Sequence, residues 1–288
     1  MKLGVVFPQT EIGNDPAAIR DYAQAAEQLG YNHALVFDHV LGAEPSRFEG
    51  RFRPPYTHKT PFHEPFVLFG FLAAATSALE LVTGILILPQ RQTALVAKQA
   101  AAVDVLSAGR MRLGVGIGWN HVEYEALGEN FRNRGRRTEE QIAVMRRLWT
   151  EESVDFDGKW HMIHQAGINP LPVQRPIPVW MGGMAEPVLK RAARIADGWF
   201  PQFRPGPDAT ATVERVRGYV AEAGRKPEEF GIEGRISMFN TEREQWAAAV
   251  EGWRALDASH VSFNTMNAGL ESPQQHIDAL RAFKELVR

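Results

Sequence analysis

Thr83-Gly-Ile-Leu-Ile-Leu-Pro89 runs into Gln90-Arg91, and a little later comes Arg110-Met-Arg-Leu-Gly-Val-Gly-Ile-Gly-Trp119. The first apolar run, closed by a proline, predicts a strand. Thr93–Leu106 between them has helical length and ends near Gly109, and Arg110–Gly116 predicts a second strand with a glycine-spaced exit. Strand, crossover helix, strand is a parallel βαβ unit. In parallel α/β folds ligands sit beyond the carboxyl ends of the strands. The stretch therefore also indicates where chemistry would be done.

Working outward, the same alternation fills the chain. Strands are predicted at Lys2–Phe7, Ala34–Phe37, Leu79–Leu88, Arg110–Gly116, Ile177–Met181, Gly198–Pro201, Gly231–Met238 and His260–Asn264. Asp15-Pro16 supplies a cap and a first-turn proline for the first helix, and Gly30 stops it. Glu64–Thr76 is apolar enough for a buried helix. Thr138 with Gln141 and Thr241 with Glu244 have the spacing of capping boxes. Ser272-Pro273 caps the last helix. Val154, Phe156, Trp160 and Met162 alternate around Asp157-Gly158, which predicts a small hairpin between the fourth helix and the fifth strand. Eight βα units in strict order predict a (β/α)8 TIM barrel as one domain, residues 1–288. A doubly wound open sheet would carry a glycine-rich phosphate loop after strand one, where this chain has Pro8-Gln9-Thr10.

Composition narrows the function classes. A formal net charge of −2 creates no field for nucleic acid or anionic membrane. With no cysteine there is no disulfide, thiolate metal site or cysteine nucleophile. The N-terminus lacks a signal-type apolar segment and no run reaches membrane-spanning length, so a cytoplasmic protein is expected. Neither HExxH nor GxSxG nor GxxxxGK[ST] is present, and His161-x-x-His164 lies beside the hairpin rather than at a barrel strand end. No metal is expected.

The predicted strand ends gather Gln9, Asp38, His39, Pro89, Gln90, Arg91, Gly118, Trp119, Asn120, Gly182, Gly183, Asp197, Gln202 and Asn264. Glycines at these exits would let a ligand approach the backbone. Gly182-Gly183 ahead of a helix could seat a phosphate, or be turn glycines only. His39 could exchange a proton near neutrality, or be a polar loop residue beside a capping Asp38. The long loop Val40–His63 carries Phe48, Phe52, Tyr56 and Phe62, enough apolar surface for a pocket cover or for surface packing. Arg132, Arg134, Arg136 and Arg137 precede a helix, where Glu139 and Glu140 or an anionic cofactor tail could offset them.

Phe37-Asp38-His39, Thr83–Pro89 with Gln90-Arg91, Asp104-Val-Leu-Ser-Ala-Gly109-Arg110, Gly114–Trp119, Glu123-Tyr124, Arg134-Gly-Arg-Arg137, Pro178–Gly183 and Asp197-Gly-Trp199 together resemble the bacterial luciferase-like monooxygenase superfamily. They most resemble its branch of coenzyme F-420-dependent oxidoreductases. The resemblance covers residues 1–200 well and the last third by pattern. It implies a TIM barrel with a deazaflavin or flavin ring in its mouth. It implies that Asp38 touches the cofactor and that His39 acts in proton transfer. It further implies a non-prolyl cis peptide in the third-strand bulge, placed here at Ile85-Leu86, with Leu88 beside the ring. Gly116, Ile117, Gly118 and Asn120, then Gly182 and Gly183, would hold the cofactor's ribityl and phosphate parts. The expected activity is hydride transfer between C5 of coenzyme F-420 and a small organic substrate. FMN-dependent monooxygenation and non-catalytic cofactor binding are the alternatives. A homodimer is compatible with the resemblance. Trp119-Asn120 stands where sugar-phosphate dehydrogenases of this branch carry an acid, which argues against that substrate.

Overall fold

The computed structural model describes residues 1–49 and 53–287. In chain order the strands are β1 (Lys2–Val6), β2 (His33–Val36), β3 (Glu80–Thr83), β4 (Leu86–Ile87), β5 (Met111–Gly116), β6 (Val154–Asp157), β7 (Met162–Ala166), β8 (Val179–Gly182), β9 (Gly198–Phe200), β10 (Gly231–Ser237) and β11 (His260–Asn264). The helices are α1 (Pro16–Gln28), α2 (Pro65–Ala75), α3 (Thr93–Leu106), α4 (His121–Ala126), α5 (Arg134–Thr150), α6 (Glu186–Ile195), α7 (Pro207–Glu222), α8 (Trp246–Ala255) and α9 (Pro273–Leu286). Parallel pairing runs β1–β2–β3–β5–β8–β9–β10–β11, and β11 returns to β1 at Lys2 opposite His260. β4 continues the third barrel strand on β5. The ring closes as a (β/α)8 barrel, the predicted fold.

Two apolar layers hold it. Inside the ring, Val6, Leu35, Val82, Trp180, Phe200 and Met266 pack together with Phe37 and Ile85. Alternate residues of the same strands, such as Val5, Val36, Leu81, Val115 and Met181, face the helices. That is the period-two alternation of a pleated strand. Trp149, Trp199 and Trp253 are fully buried in the outer layer. Each large apolar side chain so buried stabilises the fold by about 1.5–3 kcal/mol.

The third strand breaks this alternation. Val82 pairs with Arg112, but Leu86 pairs with Val115, so four steps on one strand match three on the other. One extra residue is a β-bulge, and it reverses which side chains face inward. Val82 and Ile85 point into the ring, while Leu86 and Leu88 join the outer layer. The cis peptide lies within this bulge at Gly84–Ile85, one residue before the expected Ile85–Leu86.

Local signals fared unevenly. The Asp15 side chain accepts from Ala17 N–H and Ser272 from Gln275 N–H, as their caps predict. Glu64 caps α2 in the same way. Both supposed capping boxes are something else. α5 begins at Arg134, so Thr138 lies inside it and donates to Arg134 O at 2.8 Å. Gln141 donates to Leu88 O and Arg91 O, both at 3.2 Å, and so ties the end of the third strand to α5. α8 begins only at Trp246, whose indole N–H donates to Thr241 O at 2.9 Å. The hairpin β6–β7 forms, but its loop is closed by Gly158 N–H donating to His161 O rather than by a two-residue turn. No helix among the described residues is long and apolar enough to cross a membrane.

The lower half of the barrel is charged and paired. His33 Nε2 lies 2.8 Å from Glu233 Oε1, and Arg112 donates to Glu233 Oε2 at 2.6 Å. Ser262 donates to the same carboxylate. Burial alone would raise the Glu233 pKa, but His33 and Arg112 together hold it well below the ordinary range. Arg112 also lies 4.4 Å over the Trp180 ring.

Candidate active site

At the carboxyl ends of the barrel strands a cavity of about 330 Å³ opens between β2, the third-strand bulge, β5 and β8. Phe37, Asp38, His39, Ile85, Ile87, Gly116, Ile117, Gly118, Trp119, Gly182, Gly183, Gln202 and Arg235 line it. The bulge thus brings Ile85 together with the glycine exits of β5 and β8.

The glycines have a specific reason to be there. A Cβ on Gly116 would meet Ile85 Cδ1 at 2.6 Å, and one on Gly182 would meet Ile85 Cγ2 at 2.9 Å. The space these glycines leave is taken up by Ile85, which spans two strands as an apolar shelf. They therefore shape the cavity floor, and both also line the cavity. Leu86 and Leu88 are fully buried in the outer layer and do not line the cavity, because the bulge turned them outward.

Asp38 reaches the wall, but its carboxylate is fully buried and committed elsewhere. It accepts from Arg91 at 2.7 Å and from Ile87 N–H at 2.9 Å, so it ties β2 to the bulge. Burial raises the Asp38 pKa, against the opposing pull of Arg91. Glu64 takes the other side of the Arg91 guanidinium at 2.9 Å.

His39 continues from the same strand end. Its Nδ1 lies 3.1 Å from Glu123 Oε2, and Tyr56 Oη is 2.5 Å from the same nitrogen. Glu123 is fully buried on α4, and its other oxygen accepts from Val40 N–H at 2.8 Å. A carboxylate only accepts, so an Nδ1–H donating to Glu123, with the Tyr56 oxygen as a second acceptor, would leave Nε2 as the acceptor in the neutral imidazole. Nε2 makes no hydrogen bond with the described residues, and His39 is part of the cavity wall. The long loop supplies the surroundings: the Tyr56 ring lies tilted against the imidazole at 3.7 Å between centroids and Phe62 stands edge-on at 4.9 Å. Phe48 packs on Trp119 at 5.5 Å. Described residues of the loop therefore pack against His39 and Trp119, which line the cavity. Phe52, also expected in this cover, lies outside the described residues.

Other candidates fall elsewhere. Asn120 is buried and caps α4, accepting from Val122 N–H at 3.1 Å; it does not line the cavity. The short helix it opens was not anticipated. Gln9 is buried and donates to Phe37 O at 2.8 Å. Asp197 precedes β9 instead of following it, so it sits at the opposite end of the barrel, accepting from Val179 N–H at 2.8 Å. Gly183 has φ +131°, a conformation suited to glycine, and its carbonyl accepts from Trp199 Nε1 at 2.8 Å. In the first turn of α6, Pro187 has no N–H, and those of Val188 and Leu189 are bonded to Ala185 O. An anion there would rely on the N–H groups just before the helix. Arg137 pairs with Glu129, while Glu139 takes Arg191 and Arg194. Glu140 binds His161 Nδ1 at 2.8 Å, and His161 Nε2 contacts Thr93 Oγ1 at 2.6 Å.

Two contributors were missed in the sequence. Glu123 lay within a recognised motif but without its role, because its pairing with His39 spans a long sequence separation. Arg235 was legible in principle: Glu233, Arg235 and Ser237 alternate with Ile232, Gly234 and Ile236 along β10, which marks an inward polar face.

The family model for luciferase-like monooxygenases matches residues 1–287. The chain belongs to this family. An uncharacterised protein of Mycobacterium bovis is 37% identical over 211 residues, covering 70% of this chain and 71% of the relative. The FMNH(2)-dependent dimethylsulfone monooxygenase of Pseudomonas putida is 29% identical over 277 residues, covering 93% of this chain and 72% of that enzyme. Among solved structures, an F-420-dependent secondary alcohol dehydrogenase in complex with an F-420–acetone adduct superposes with TM-score 0.78 at 19% identity, over 100% of this chain and 99% of the other. The fold is thus shared with an F-420-dependent enzyme, and a sequence relative carries FMNH(2) in its name.

Proposed function

We propose that this protein is a coenzyme F-420-dependent oxidoreductase that transfers a hydride between C5 of the deazaflavin and a small organic substrate. One observation carries the reading: Ile85 and His39, whose Nε2 makes no hydrogen bond with the described residues, line the same cavity. When bound, the cofactor supplies the hydride chemistry. The residues present fit a flat ring, because the Cβ-free positions 116 and 182 let Ile85 lie across the floor. Phe37 and Trp119 add apolar wall and limit water. His39 Nε2 accepts the substrate's proton when the substrate is oxidised and returns it in the reverse direction. Glu123 steadies the imidazolium that forms.

A second reading, FMN-dependent monooxygenation, is favoured by the Pseudomonas putida relative, whose name carries FMNH(2). Titration of the purified protein with coenzyme F-420 and with FMN separates them. Tighter binding of FMN would overturn the deazaflavin assignment. His39→Ala distinguishes an enzyme from a cofactor carrier. Turnover should fall by roughly a hundredfold or more, the usual worth of a general acid–base, with cofactor affinity within a few-fold. A mutant indistinguishable from wild type in every turnover assay would favour the carrier.

A further inference from the structure

The cavity continues into a groove of about 990 Å³ between the ends of β9, β10 and β11 and the start of α8. Phe37, Gln202 and Arg235 belong to both. The charged residues lining the groove are Arg204 and Arg235, with no Asp or Glu beside them among the described residues. Arg204 donates to Asn240 O at 2.5 Å. Arg235 forms no hydrogen bond or ion pair with any described residue, and its guanidinium lies 5.7 Å from the Phe37 ring centre.

Arg235 is exposed at the barrel mouth, where it lines both the ring cavity and the groove. Glu233, two residues earlier on the same face, is already occupied by Arg112, His33 and Ser262. Guanidinium does not give up its charge, and its planar fork of five donors matches an oxyanion. Around it the groove offers neutral polar groups, Ser237 and Asn264, and the apolar faces of Phe37 and Phe203.

We propose that Arg235 is a substrate-binding residue. It takes an oxyanionic group of a partly apolar substrate at the junction of the ring cavity and the groove. The inference rests on the reading above only for where the reaction occurs; the anion site itself stands on the groove. The substrate would lay its apolar body along Phe37 and Phe203 and present its reacting carbon toward His39.

The test uses 1-anilinonaphthalene-8-sulfonate and its uncharged analogue N-phenyl-1-naphthylamine, titrated by fluorescence into the full-length protein at low salt. The sulfonate should bind, and Arg235→Gln should weaken it roughly ten- to a hundredfold, the worth of a hydrogen-bonded charge. Arg235→Lys should recover part of the loss, and the neutral amine should be insensitive to both changes. Failure of wild type to bind the sulfonate, or equal affinity in wild type and Arg235→Gln, overturns the proposal. So does a mutant that loses affinity for coenzyme F-420 or FMN while holding the sulfonate, since Arg235 would then serve the ring. If wild type binds neither cofactor but the sulfonate result holds, the redox reading fails and the anion site remains.

Discussion

Glu123 Oε2 lies 3.1 Å from Nδ1 of His39, and the carboxylate is wholly buried while the imidazole borders the cavity. The pair ties the end of β2 to α4, and the carboxylate favours a ring proton on Nδ1. Glu123→Gln preserves size but presents an amide that can donate, so the imidazole is no longer held to one proton placement. Turnover should drop roughly ten- to a hundredfold with cofactor affinity nearly unchanged. The activity–pH profile should move as well. A mutant with a wild-type profile and rate would show that the carboxylate only supports the Val40–Leu41 backbone.

Ile85 as a shelf predicts an unusual response to a methyl group. In Gly116→Ala the new carbon meets the flexible end of Ile85, which can yield by turning into the cavity. Cofactor affinity should fall roughly tenfold while stability changes by about 1 kcal/mol or less, below the usual cost of overpacking. Adding Ile85→Ala should restore much of the affinity. Strictly additive losses in the double mutant, read by fluorescence titration, would remove the shelf from the account.

Asp38 ties β2 to the third-strand bulge. Asp38→Ala leaves the largely buried Arg91 without its main partner and Ile87 N–H without an acceptor. Loss of a buried pair's partner costs about 3–5 kcal/mol, so chemical denaturation should show a large fall in midpoint. A stable Asp38→Ala protein that merely loses cofactor would instead restore the contact role implied by the family resemblance.

Acid should unfold this protein early. Burial lowers the pKa of His260 to about 3 and of His276 to about 4, and Glu233 is also held low. In each case the unfolded chain takes up a proton first as pH falls. The stability is therefore complete above the unfolded values and declines from about pH 6.5 to about 4 for His276 and to about 3 for His260, with Glu233 adding its loss from the ordinary carboxylate range downward. At pH 5 each histidine should forfeit about 2 kcal/mol. Thermal melts at pH 7 and pH 5 should separate clearly, and less so in His276→Gln. Superimposable melts would contradict the buried neutral histidines.

The barrel was legible because its signals are periodic and local: apolar runs of strand length, glycine exits, and caps such as Asp15 and Ser272. Thr138 and Thr241 misled because capping boxes are defined by spacing alone, and burial of Gln141 and packing of Trp246 decided otherwise. Within the site, His39, Ile85 and the paired glycines could be placed from motif and strand end. Leu86 and Leu88 could not, since an extra residue in a strand leaves no mark on an all-apolar run. Asn120 followed the rule for a helix N-cap, which competes with any reading of it as a ligand.

The insertion in the third strand makes the composition of the mouth a question of odd and even. Taking out one residue ahead of Leu86 would leave the ring of strands able to close, yet it would present Leu86 and Leu88 to the interior and send Ile87 toward the helices. A change in strand length by a single residue thus exchanges an entire wall without altering any side chain. For anyone redesigning this protein, that makes insertion and deletion as powerful a tool as substitution.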